Sequence, residues 1–124
     1  MIIDDFRRLA LALPEATEAA HMAHPDFRVR NKIFATLWPK EGRGVVMLTP
    51  EQQKILIDLK PVVFSPVPGA WGRRGSTNVN LEAADEMSLT SALLMAWRNK
   101  APKQLAPSEQ PMPIADTEGR EVGR

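Results

Sequence analysis

Asp26-Phe27-Arg28-Val29-Arg30-Asn31-Lys32-Ile33-Phe34-Ala35-Thr36-Leu37-Trp38 is the stretch on which the fold turns. Asp26 to Val29 alternates polar and apolar side chains, and Lys32 to Trp38 is rich in residues that suit a pleated surface. Arg30-Asn31 between them fits a two-residue turn, because asparagine tolerates a positive φ. The pattern predicts a β-hairpin. Pro39-Lys40-Glu41-Gly42 then supplies turn residues, and Gly44-Val45-Val46-Met47-Leu48 predicts a third strand of the same meander.

Upstream, Phe6, Leu9, Ala10 and Leu13 recur at helical spacing behind Asp4 and Asp5, whose carboxylates suit the positive end of a helix dipole, and Pro14 ends the run. Downstream, Thr49-Pro50-Glu51-Gln52 predicts a helix start: a threonine cap, proline at the first helical position, and glutamine closing a capping box. Ile55, Leu56 and Leu59 are expected to form its stripe against the sheet, Glu51 and Asp58 its solvent side, and Pro61 its end. Pro61, Pro66, Pro68, Gly69, Gly72 and Gly75 mark an irregular crossing, with Val62-Val63-Phe64 as a short edge strand. Thr77 to Leu81 reads as the last strand. Asp85 to Asn99 reads as a helix with Leu89, Leu93, Ala96 and Trp97 on one side and Lys100 near its C-terminal end. The order α-βββ-α-β(β)-α predicts an α+β two-layer sandwich, an antiparallel sheet with helices on one face.

Periodicity stops at about Pro102, which predicts one domain over residues 1–102. The tail, 103–124, holds Pro107, Pro111 and Pro113 among small and charged residues, and it is expected to be disordered because it cannot bury enough surface to offset ordering entropy. The chain contains no cysteine, which excludes disulfides, thiolate metal sites and thiol catalysis. No window approaches eighteen apolar residues, and acids follow Met1-Ile2-Ile3 where a signal peptide needs a basic start, so the expected location is the cytoplasm, away from membranes. Net charge is +1; without Lys103 to Arg124, thirteen basic and eleven acidic residues remain. That balance is far from a dedicated nucleic-acid module, so any such role needs a local patch.

The hairpin Asp26 to Leu37 resembles the signature hairpin of the MmcQ/YjbR family. Thr49-Pro50-Glu51, the pair Phe64 and Pro66, Gly72-Arg73-Arg74-Gly75, Val79-Asn80-Leu81 and Leu93-Leu94 with Ala96-Trp97 resemble that family in the same order, over roughly residues 1–105. The resemblance implies a two-layer fold similar to CyaY-like and secretion-chaperone-like domains. It implies no catalytic residue, and it carries a suggestion of DNA binding that rests on shape. Two positions depart from the family pattern: Arg30-Asn31 stands where glycines are common, and Ser76 stands where many members carry an aromatic residue.

Arg28, Arg30 and Lys32 cluster on the hairpin, and Arg73-Arg74 lie on a glycine-flanked loop that a short fold could bring nearby. Together they are candidates for contacts to nucleic-acid phosphates; the plain structural reading is solubilising surface charge. Gly72-Arg73-Arg74-Gly75 also matches the GxxG loop of KH domains, but it precedes a strand where that loop joins two helices. Its consecutive N–H groups could instead form an anion nest, or the glycines could simply permit a turn with Trp71 packed beneath it as a core edge. Trp38 and Trp71, if exposed, are candidate interface anchors. His21-Met22-Ala23-His24 spaces two imidazoles for a metal only if helical, and Pro25 and the lack of a third imidazole or thiolate argue against it. No GxSxG, GxGxxG or P-loop is present, and the serines at 65, 76, 88, 91 and 108 have no base at diagnostic spacing.

The sequence therefore predicts a non-enzymatic binding module without cofactor or metal. Its expected partner is nucleic acid held by Arg28, Arg30, Lys32, Arg73 and Arg74. The alternatives are a protein-interaction or homodimerising module using Trp38 or Trp71, and a small anion-binding domain built on Gly72 to Gly75.

Overall fold

The structure, a computed structural model, describes residues 2–21 and 24–105, with His21 described for its backbone alone. Its elements run α1 (Ile3–Leu11), β1 (Thr17–His21), β2 (His24–Val29), β3 (Lys32–Trp38), β4 (Arg43–Met47), α2 (Pro50–Leu59), β5 (Phe64–Pro66), α3 (Ala70–Arg73), β6 (Ser76–Asn80) and α4 (Glu86–Lys100). One antiparallel sheet has the order β1-β2-β3-β4-β6-β5. Helices α1 and α4 pack over β3 and β4, and α2 over β5 and β6. The predicted α+β two-layer arrangement is the observed one, with β1 and α3 as additions.

The hairpin forms where its sequence predicts, with Arg30 and Asn31 at φ 49° and 68°. A bulge follows. Phe27 pairs with Ala35 but Arg28 pairs with Ile33, so Phe34 is an extra residue on β3. The bulge turns Phe34 and Ala35 inward together, and both are fully buried. The core gathers Phe6 and Ala10 of α1, Phe27, Val29, Phe34 and Leu37 of the hairpin, Val46, Phe64 and Val79 of the other strands, and Leu89, Leu93 and Trp97 of α4. Gly44 lets α1 approach: a Cβ there would sit 2.2 Å from the Phe6 ring. Trp97 closes the packing by donating its indole N–H to the Pro14 carbonyl at 2.9 Å.

Helix α2 starts on the predicted capping box. The Thr49 hydroxyl accepts from the Gln52 N–H at 3.1 Å, and the Gln52 side-chain oxygen accepts from the Thr49 N–H at 3.0 Å. The predicted stripe needs correction: Leu56 is buried with Ile57 packed partly beside it, whereas Ile55 and Leu59 face outward. The helix lies over short strands at one side of the sheet and is covered along a narrow line only. Glu51 and Asp58 are exposed, as expected. The edge strand falls at Phe64–Pro66, two residues later than its apolar run suggests, and Val62 is exposed. Lys103–Leu105 form a single 3₁₀ turn, with Leu105 packed against the core. The expected disorder of the tail beyond them falls outside the described residues.

Candidate nucleic-acid interface

The register fixes where each candidate cation lies. Lys32 opens β3 beside the Arg30-Asn31 turn, β4 runs back toward that end to Met47, and Met47 pairs with Ser76, the first residue of β6. Arg73 and Arg74 are separated from Ser76 by Gly75 alone, so they share the sheet end of the hairpin turn, two strands across. The C-terminal end of α4 lies between them. Lys100 shares a groove with Met47, Trp71, Arg74 and Ser76, while Arg30 shares another with Pro102, Gln104 and Leu105. Lys103, in the turn after α4, shares a third with Trp97, Arg98 and Pro102.

The five predicted cations differ in what they are free to contact. Arg28 Nε and Nη2 donate to the two carboxylate oxygens of Asp26 at 2.8 and 3.2 Å, and the Asp26 side chain is 3% exposed. The hydrogen bonds and charge of Asp26 raise the Arg28 pKa above its usual value. A guanidinium committed to a buried carboxylate is a fixture of the sheet, since leaving Asp26 unpaired would strand a buried charge. Arg30 is bound in the same two-pronged way by Glu15, whose hydrogen bonds raise the arginine pKa and are answered by a lowered Glu15 pKa. Both partners of that second pair are about half exposed, so the bridge is weakly held.

Lys32, Arg73 and Arg74 have no carboxylate partner among the described residues, and neither do Lys100 and Lys103. Among the described residues, the carboxylates toward this end are Glu15, tied to Arg30, Asp26, tied to Arg28, Glu18 opposite Phe27, tied to Arg7, and the exposed Glu51 in the first turn of α2. At the opposite end of the sheet most cations are paired. There Arg7 pairs with Asp4, Arg8 with Asp5 and Glu86, Arg43 with Glu41, and Lys60 with Asp85. Glu82 adds a further acid, and Lys40 is the unpartnered cation on that side. Lys100 and Lys103 are absent from the sequence-based set. Basic residues at a helix C-terminus read as dipole partners until the topology places that terminus between the hairpin and α3.

The glycine-flanked segment is a turn of helix, not an open loop. The N–H of Arg73 bonds to the Gly69 carbonyl, that of Arg74 to Ala70 and Trp71, and that of Gly75 to Gly72. Those three N–H groups are bonded inside the turn and are not free to cradle an anion. The glycines serve packing instead: a Cβ on Gly72 would lie 1.6 Å from the Val67 carbonyl oxygen, and Gly75, at φ 118°, would place one 1.9 Å from that of Leu48. Gln53 holds the segment down, its side-chain NH₂ donating to the Gly72 and Ser76 carbonyls at 3.0 Å each.

The tryptophans also part ways. Trp71 does not pack beneath its segment as a core edge; it is 64% exposed. Trp38 is half-buried on the sheet face away from the helices. Its ring lies between His24, at 3.6 Å between centroids, and the Arg43 guanidinium, at 4.6 Å from the centroid. Its N–H donates to the Thr36 hydroxyl at 3.0 Å. With His24 and Arg43 as its neighbours, Trp38 is less exposed than Trp71, and it borders a surface pocket with His24, Pro39, Lys40 and Glu41. His21 and His24 are paired across β1 and β2, the side chains of His21 to Ala23 lying outside the described residues. Among the described residues no cluster of three metal-ligating side chains occurs, and no helix is long and apolar enough to cross a membrane.

The YjbR family model matches residues 11–99. The chain belongs to the YjbR family. The match takes in the hairpin, the Trp71 segment and nearly all of α4, so the basic end is built from YjbR elements, Lys100 and Lys103 lying just beyond. A crystal structure of Deinococcus radiodurans protein DR2400, with domain DUF419, is similar to this YjbR chain at a TM-score of 0.69 and 18% identity. The similarity covers 88% of this chain and 85% of that one, and at such identity it speaks for the fold alone. No curated protein matches the chain.

Proposed function

We propose that this YjbR chain is a non-enzymatic, cytoplasmic module that binds nucleic acid along its sugar-phosphate backbone through the basic end of the sheet. The observation that carries the reading is the asymmetry of pairing. Cations at the acidic end, Lys40 apart, are matched with carboxylates, whereas Lys32, Arg73, Arg74, Lys100 and Lys103 have no carboxylate partner among the described residues, and Arg30 beside them is loosely held. Unmatched cations repel one another and gain most from a polyanion, whose phosphates release condensed counterions on binding. Sequence-specific reading has no support, since no helix presents Arg, Asn and Gln together for a major groove.

Fluorescence anisotropy with mixed-sequence DNA at two salt concentrations tests this. Binding at low salt that weakens steeply as salt rises is the expected result. No binding tighter than about 100 μM at low salt contradicts it, because nonspecific binders normally do better.

A second reading, a protein-interaction or homodimerising module, is favoured by the strip formed by Ile55, Leu59 and Val62, which are 54%, 70% and 73% exposed. Residues i and i+4 on α2 share a face, and such a strip is commonly covered by a partner. Light scattering tests it. A dimer mass that reverts to monomer in Leu59→Asp favours this reading, and a monomer at all concentrations removes it.

A further inference from the structure

Trp71 stands out among the rings of this protein. The four phenylalanines and Trp97 are buried and Trp38 is half-buried, yet Trp71 presents its indole to solvent from a segment held by Gln53 and by the close packing of Gly72 and Gly75. The ring is therefore exposed on a segment whose backbone is held in place. It borders a shallow groove of about 320 Å³ whose remaining walls are Met47, Leu48, Arg74, Ser76 and Lys100. The walls thus combine apolar surface with two cations that have no carboxylate partner among the described residues.

We infer that this groove takes one unpaired nucleobase stacked on Trp71, with the flanking phosphates on Arg74 and Lys100, so that the preferred ligand is single-stranded. The inference rests on the nucleic-acid reading above and narrows it. An indole offers a π-face to any base, while the bases of a duplex are stacked on one another and cannot reach it. Charge complementarity selects the occupant: an apolar peptide side chain would fill the groove and leave Arg74 and Lys100 unanswered. With Ser76 as the one neutral hydroxyl in the walls, stacking outweighs hydrogen-bond readout, and the site has little preference among bases.

The test compares three ligands of equal length by anisotropy: a mixed-sequence single strand, its duplex, and a strand of abasic sites that keeps the sugar-phosphate backbone. The single strand is expected to bind about tenfold more tightly than the abasic strand. Trp71→Ala should erase that difference without changing abasic binding, and Trp71→Phe, which keeps a ring, should retain most of it. Equal affinity for the base-bearing and abasic strands, together with a steep salt dependence, overturns the stacking site and leaves the backbone reading standing. Failure of all three ligands to bind overturns both.

Discussion

Arg30 occupies left-handed backbone at φ 49°, a conformation that is costly for a side chain other than glycine, asparagine or aspartate. A glycine there would relieve the strain, and the turn would form more easily. The substitution Arg30→Gly is therefore expected to leave stability unchanged or raise it by about 1 kcal/mol in urea denaturation, even though the exposed bridge to Glu15 is lost. The same variant should bind nucleic acid more weakly, which would identify Arg30 as retained for its charge. Asp85 gives a second prediction. Hydrogen bonds from Ser88, followed by the influence of Lys60, hold its pKa at about 2 against an ordinary 3.8. A carboxyl whose pKa is lowered by folding stabilises the native state above its ordinary pKa, and that contribution is lost as pH falls through the folded value. Thermal melts of Asp85→Ala should therefore lie below wild type at neutral pH, with the gap closing between about pH 3.8 and about pH 2. A gap that stays constant with pH contradicts the charge-based part of the cap.

Among the elements, those with local chemistry of their own were legible before any tertiary contact was considered. The Thr49 to Gln52 capping box, the Arg30-Asn31 turn and the stripe of α4 each sit where their residues require. Strand β1 was not legible, because Thr17-Glu18-Ala19-Ala20-His21 holds one strong strand former and becomes a strand by pairing with β2 at the sheet edge. Helix α3 was hidden by its glycines, which read as loop punctuation although Gly72 and Gly75 answer to the carbonyls of Val67 and Leu48. The cost of Gly72→Ala tests this at the level of the element. Helix propensity alone favours alanine by up to about 1 kcal/mol. Backbone overlap with Val67 should reverse the sign, and a loss of about 1–3 kcal/mol is expected from denaturant melts. A stabilised variant contradicts the packing. The candidate site was half legible for a related reason: the sequence shows which residues are cations, but not that Asp26 claims Arg28 or that α4 delivers Lys100 between hairpin and α3.

Over the whole molecule, charge is sorted by the direction of the strands. Each strand has one end near the hairpin turn, where cations outnumber carboxylates, and one end near the N-termini of α1 and α4, where Asp4, Asp5, Asp85 and Glu86 meet paired cations. A net charge of +1 conceals this arrangement. A near-neutral protein can attract a polyanion only through a local patch, so on the proposed reading the position of a charge matters more than the total. Comparing equal removals of charge at the two ends therefore separates a docking surface from general solubilising charge.

The most direct measurement is the slope of log K against log salt for a single strand, taken for wild type, for Arg73→Ala plus Arg74→Ala, and for Lys40→Ala plus Lys60→Ala. Each variant loses two positive charges. The pair from the basic end is expected to weaken binding and flatten the slope by about 1.4, at roughly 0.7 per phosphate contact, while the pair from the opposite end leaves the slope at the wild-type value. Equal flattening by both pairs, or none by the arginine pair, contradicts a nucleic-acid surface at the basic end.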